Sequence, residues 1–181
     1  MEPYPYDLDK ARSLLKAAGY EDGFDLLLEV VPGAFPADNE IFQLMAQHIQ
    51  SVGVNVKLQT ATFADWIKKF YGMSWEGQGF ETTWDTAPFM DAIAGYTNQT
   101  CMKALPYFCD ERTKPLVDQI NTEFDPKKRE SLLRELSEFF YEEAPHIYLT
   151  YIIDITGVSK NIKGFRNVAR DMRYHEIEFV N

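Results

Sequence analysis

The chain is poor in the residues that usually announce a chemistry. Its 181 residues include two cysteines and three histidines. The P-loop, the dinucleotide glycine fingerprint, the nucleophile elbow and the H-E-x-x-H zinc motif are all absent. Positive charge is also short, with 18 Lys and Arg against 28 Asp and Glu, a formal net charge of −10. That balance argues against broad nucleic-acid binding, which needs a positive surface to displace counterions. It argues equally against adhesion to anionic membranes. The densest basic cluster is Lys160, Lys163, Arg166, Arg170 and Arg173, with no RNA-module or zinc-finger pattern around it.

No apolar run approaches membrane-spanning length. The opening, Met1-Glu2-Pro3-Tyr4-Pro5-Tyr6, has neither a basic segment nor a hydrophobic stretch like a signal peptide. The expectation is either a cytoplasmic protein or a chain without its leader. Cys101 and Cys109 lie in one loop-like stretch with no nearby third Cys or His, a poor zinc pattern. A disulfide closing that loop would stabilise by roughly 2–3 kcal/mol on loop-entropy grounds. Two free thiols fit the residues as well.

The composition is otherwise globular, 45% hydrophobic and 25% charged. Asp7 can cap a helix to about Ala18, with Leu8, Ala11, Leu14, Leu15 and Ala18 as its apolar stripe. Residues 24–31 read as a buried strand. A second helix is predicted over residues 37–52, its stripe formed by Ile41, Leu44, Met45, His48, Ile49 and Val52. That stripe makes His48 a core histidine. Residues 54–58 alternate as a strand, and Thr62 caps a short third helix. Residues 79–84 form a probable third strand.

This alternation predicts an α/β domain with at least part of its sheet parallel. Residues 85–110 are irregular, with one short helix around Met90 to Ala94. Helices follow over residues 111–124 and from the Asp125-Pro126 start to about Glu143. Residues 146–151 and 174–180 read as further strands.

Asp85 is the most interesting acid. It follows Trp84 at a probable strand end, where ligand sites of α/β sheets gather. An aromatic plate beside a carboxylate suits an amine or other cation. The plainer reading packs Trp84 in the core and leaves Asp85 to cap a turn. Glu142 and Glu143 point apart on a helix end and make a poor acid–base pair. His146 and His175 are expected in strands with no partner at metal or nucleophile spacing.

Together these segments form a pattern. Residues 6–20 with Gly23-Phe24 resemble the "YDxxKAxxLLxxAGYxdGF" opening of the second lobe of the family 5 extracellular solute-binding proteins. These are the oligopeptide, dipeptide and nickel receptors of ABC importers. Residues 47–58 resemble the family's "QxxxxGixvkl" helix and strand. Thr83-Trp84-Asp85 sits where the family has its "GW…D" segment, shortened afterwards to Asp85-Thr86-Ala87-Pro88. Residues 124–129 match "tDpakR", residues 142–149 match "edaPxipl", and residues 161–165 match "v.Gf".

The resemblance implies a periplasmic-binding-protein-like lobe, a mixed sheet flanked by helices. Residues 1–181 would be a single C-terminal ligand-binding lobe, with the N-terminal lobe absent from this chain. It implies a hinged clamp that buries a solute between two lobes and is read by a membrane permease. The ligand class spans peptides, nickel complexes, oligosaccharides and opines. Asp85 would hold a terminal ammonium, with Trp84 and Thr83 lining the cleft. No cofactor, metal or catalytic residue is implied, and the receptor would be a monomer in the periplasm or a cell-surface lipoprotein. Export favours the Cys101–Cys109 disulfide. The competing expectation is a hydrolase using Asp85 with a second carboxylate or a histidine.

Overall fold

The computed structural model describes the chain except residues 1, 84–89, 97–98, 102–105, 152, 154, 169–170 and 181. The chain forms two compact units, Met1–Thr83 and Trp84–Asn181.

The first unit is built on a three-stranded parallel sheet in the order β2-β1-β3. Helix α1 (Leu8–Ala17) opens it, capped by Asp7, whose carboxylate accepts the Lys10 N–H at 2.8 Å. Strand β1 (Asp25–Val30) is central. Helix α2 (Asp38–Gln50) crosses over to β2 (Asn55–Thr60), and α3 (Phe63–Gly72) to the short β3 (Gly79–Phe80). The register runs from Asp25 opposite Asn55 to Val30 opposite Thr60. The turn joining α1 to β1 needs glycine at position 23. Gly23 has φ +77°, and a β-carbon there would lie 1.9 Å from the Gly53 carbonyl oxygen.

Strand alternation sends neighbouring side chains to opposite faces. Leu28 faces α2 and packs with Ala46, Val54 and Val56; Leu15, Met45 and Ile49 close over this cluster. Glu29 points the other way, to Lys69 of α3. Helices therefore flank both faces of the sheet. The helix α2 stripe differs from the sequence expectation. Phe42 and Ala46 are buried, whereas Leu44 and His48 are exposed. His48 lies against the Tyr6 ring at 5.2 Å, on the surface and not in the core. Ala46, Met45 and Ile49 turn toward the sheet cluster, which leaves the Leu44–His48 ridge outward.

The second unit is mainly helical. Helix α4 (Ala92–Tyr96) is followed by a 3₁₀ turn (Glu111–Thr113), α5 (Lys114–Thr122) and α6 (Pro126–Glu143). Asp125 caps α6 through the Lys127 and Lys128 N–H groups, each at 3.0 Å. Val117, Ile120, Leu136 and Phe140 form the core, joined by Leu132, Leu133 and Phe139. Arg129 binds Asp91 at 2.8 Å and the Ile120 carbonyl at 3.1 Å, tying α4, α5 and α6 at one point.

The remaining strands pair in separate two-stranded antiparallel ribbons. Strand β4 (Ile162–Lys163) pairs with β7 (Glu178–Phe179), and β5 (Asn167–Val168) with β6 (Asp171–Met172). Of the strand expected over residues 174–180, Tyr174–Glu176 form a 3₁₀ turn and Glu178–Phe179 pair as β7. Residues 146–151, also expected as a strand, join no ladder. Their apolar residues, together with those that follow, stand in solvent: Ile147, Tyr148, Leu149, Tyr151, Ile153 and Ile155 are all exposed, Tyr151 and Ile155 at 92%.

Candidate functional site

The carboxyl end of the parallel sheet brings together acids that are remote in sequence. Three carboxylates lie there in different surroundings. Glu29, near the end of β1, is fully buried. Its Oε1 accepts the Glu76 N–H at 2.6 Å and the Gly77 N–H at 3.0 Å, and its Oε2 binds the Lys69 ammonium. Burial opposes its charge. The Lys69 hydrogen bond and the two N–H groups outweigh burial and hold the carboxyl below its ordinary range. This group is structural: it pins the segment leading into β3 to the central strand.

Asp38 starts α2. Its carboxylate accepts the Phe35 N–H at 2.9 Å, the Gly33 N–H at 2.8 Å and the Asn39 N–H at 2.6 Å. The Phe35 bond is the chief cause of its lowered pKa. Asp38 replaces a side-chain cap, because the residue before it, Ala37, is in the left-handed region at φ +60°.

Glu81 differs from both. It is the first residue after β3. Its N–H donates to the Glu29 carbonyl at 2.9 Å, and its carbonyl accepts the Trp66 indole N–H at 3.0 Å. The carboxyl accepts the Val31 N–H and is half-buried. Burial pushes its pKa up to about 7, and the nearby Asp38 charge adds to the rise. Aromatic rings line the α3 side: Phe70 stacks on Trp66 at 4.5 Å, and Trp75 on Phe80 at 4.0 Å.

Of the residues singled out in the sequence, Thr83 is exposed at the end of the first unit. Trp84 and Asp85 lie outside the described residues. The geometry adds Glu81 and Asp38, which sequence reasoning missed. The signals were weak, an acid inside the strand expected over residues 79–84 and an acid at a helix start. Neither stands out without knowing that the two chain ends converge.

In the second unit Cys101 and Cys109 are joined, with sulfurs 2.00 Å apart and α-carbons 4.5 Å apart. A Glu111 oxygen lies within 4.8 Å of the sulfurs. Joined to each other, those sulfurs offer no thiolate to a metal. His146 is half-buried against the Phe140 ring, and burial lowers its pKa. His175 is exposed, 3.7 Å from Glu176. Of the basic cluster, Arg166 and Arg173 are both spent on Glu176, at 2.7 and 3.3 Å.

A family model, bacterial extracellular solute-binding proteins of family 5, middle region, matches residues 1–101. The chain is similar to the glutathione-binding protein GsiB of Salmonella typhimurium, 26% identical over 91% of this chain and 34% of that protein. It is also similar to the dipeptide-binding protein of Escherichia coli, 26% identical over the whole chain and 35% of that protein. The chain thus spans about a third of the length of these curated relatives.

The fold matches the periplasmic binding protein DppA of Helicobacter pylori in complex with the peptide STSA. The TM-score is 0.79 at 23% identity, over all of this chain and 36% of that one. HbpA2 of Haemophilus parasuis gives a TM-score of 0.81 at 21% identity, over 99% of this chain and 37% of that one. These matches carry the α/β fold expected from the sequence, a parallel sheet flanked by helices. The matched family is one of binding proteins and not of enzymes, so the hydrolase expectation is set aside. With more than half of its residues matched by the family model, the chain belongs to the bacterial extracellular solute-binding proteins of family 5.

Proposed function

We propose that the chain is the C-terminal ligand-binding lobe of a two-lobed receptor that serves an ABC importer. The receptor captures a peptide-like or other small solute between its lobes and presents it to a membrane permease. It works as a monomer in the periplasm or tethered at the cell surface. Thr83, Trp84 and Asp85 line the cleft, and Asp85 takes a terminal ammonium. The names of the relatives support a solute of this kind, since they bind glutathione and dipeptides.

The observation that carries this reading is the exposed apolar arm after α6. The side chains of Ile147, Leu149, Tyr151, Ile153 and Ile155 are exposed, and residues 147–151 join no ladder. Such a run is costly to leave exposed in a finished body. It suits a segment covered by the lobe that this chain does not include. One jaw presents one wall of a binding site, so the isolated chain should fold yet bind poorly.

Calorimetry with a mixture of short peptides tests this. The full-length receptor is expected to bind at least about tenfold more tightly than residues 1–181 alone, a difference of about 1.4 kcal/mol. Equal affinity in both would contradict the assignment.

A further inference from the structure

We propose that Cys101, Cys109 and Glu111 form a redox-gated zinc site: once a dithiol reduces the Cys101–Cys109 bond, the two thiolates and the Glu111 carboxylate hold a Zn²⁺ ion. The observation behind it is a side-chain cluster of the second unit that the receptor reading does not use. The two sulfurs and a Glu111 oxygen all lie within 4.8 Å of one another. The α-carbons of the two cysteines are 4.5 Å apart.

The side chains around the bond decide which groups can join it. Asp110 is next to Cys109 but is spent. Its two oxygens accept the Arg112 side-chain Nε–H at 2.9 and 3.0 Å, and one of them also takes the Arg112 backbone N–H at 2.9 Å. Glu111 is held more loosely. Its partner is Lys114 at 2.6 Å, and both side chains are exposed, so opening that pair costs little. The bond itself is reachable, since Cys109 is exposed and Cys101 half-buried. Two thiolates and a carboxylate around Zn²⁺ leave a single negative charge, which the neighbouring Lys114 ammonium offsets.

Reduction is a two-electron step. A thiolate of the dithiol attacks the exposed Cys109 sulfur and forms a mixed disulfide, and Cys101 leaves as a thiolate. The second thiol of the reductant then displaces Cys109 and closes its own disulfide. The dithiol is oxidised, and the protein gains two electrons and two thiol protons. Those protons go to solvent as the two Zn–S bonds form. Tetrahedral zinc takes sulfur at about 2.3 Å and oxygen at about 2.0 Å, so its ligand atoms stand roughly 3.5–4 Å apart. The freed sulfurs swing apart, the Glu111 oxygen moves in, and water fills the fourth position. Soft thiolates select zinc over calcium and magnesium. The metal then replaces the disulfide as the closure of the 101–109 loop.

The test compares the full-length receptor in its oxidised form with the same protein reduced by dithiothreitol and freed of it by gel filtration under argon. Zinc chloride is the probe, and native mass spectrometry counts the metal retained. The reduced receptor is expected to retain one zinc per chain more than the oxidised receptor. A variant with both Cys101→Ser and Cys109→Ser controls for zinc held elsewhere and should match the oxidised receptor. Glu111→Gln keeps both cysteines and is expected to weaken zinc binding by the reduced receptor about tenfold or more. With Cd²⁺ in place of zinc, reduction should bring in the charge-transfer absorption of a cadmium–thiolate bond.

Equal zinc retention by the oxidised and reduced receptors overturns the proposal, as does retention by the double variant equal to that of the reduced receptor. Unchanged zinc affinity in Glu111→Gln overturns it too. If the double variant does not fold, Glu111→Gln and the cadmium absorption decide. Failure here leaves the receptor reading standing, because peptide calorimetry tests that reading separately.

Discussion

Two glutamates on the paired strand segments, Glu29 opposite Phe80 and Glu81 just beyond it, respond to pH in opposite directions. For Glu81 the folded chain raises the pKa from 4.5 to about 7. Below pH 4.5 folded and unfolded chains both keep the proton, and the residue costs nothing. As pH climbs toward 7 the unfolded chain releases its proton first, so stability falls; above about 7 the whole penalty is present. Glu29 has a lowered folded pKa, so its contribution is present above 4.5 and is lost as pH falls through the lower folded value. The expected outcome is that Glu81→Gln raises the melting temperature at pH 8 and leaves it nearly unchanged at pH 4. Glu29→Gln should do the reverse, destabilising at pH 8 and much less in acid. Thermal unfolding by circular dichroism at the two pH values checks both.

Among the elements, the helices of the second unit give the clearest energetic expectation. Leu136 is fully buried at the centre of the α5–α6 cluster. Leu136→Ala should cost about 3 kcal/mol in urea unfolding, within the range seen for buried leucines. Asp125→Ala removes a cap bonded to two N–H groups and should cost about 1 kcal/mol. In the first unit Gly23→Ala meets the Gly53 carbonyl and a left-handed backbone. It should destabilise by more than about 1 kcal/mol, and a normal unfolding midpoint for that variant would refute the close approach.

These same elements show where sequence reading works. Helices α1 and α6 were legible because Asp7 and Asp125 cap them, each accepting first-turn N–H groups; the helix expected over residues 111–124 starts as a 3₁₀ turn and is α-helical only over Lys114–Thr122. The rotation of α2 was not, because Phe42 and the Leu44–His48 ridge compete and only packing against Leu28 and Val56 chooses. Strand β3 was expected to run to Trp84, but among the described residues only Gly79 and Phe80 pair with β1. β-Branched and aromatic residues signal an extended chain, not a ladder.

At the scale of the molecule, the exposed side chains of Ile147, Leu149, Tyr151, Ile153 and Ile155 give the proposed lobe assignment a direct test. Amides of residues 149–151 have no ladder in this chain and should exchange with solvent within seconds. In the full-length receptor the same amides should be protected by orders of magnitude, as strand residues are. Hydrogen-exchange mass spectrometry on both proteins decides this, and equal rates would remove the arm as the covered surface.

The sequence alone determined the alternation of helix and strand, the caps, the apolar faces of α5 and α6, and the family. Those depend on neighbours within a few residues or on motifs in fixed order. It could not determine which acids share a site. Glu29, Asp38 and Glu81 are remote along the chain, and their charge states depend on burial and on N–H groups brought in by β1, α2 and β3. Only the parallel pairing of β1 with β3 places Glu81 beside Val31 and Asp38. Long-range packing, not local pattern, made one carboxyl a structural anchor, one a loop clasp and one an acid whose pKa burial raises.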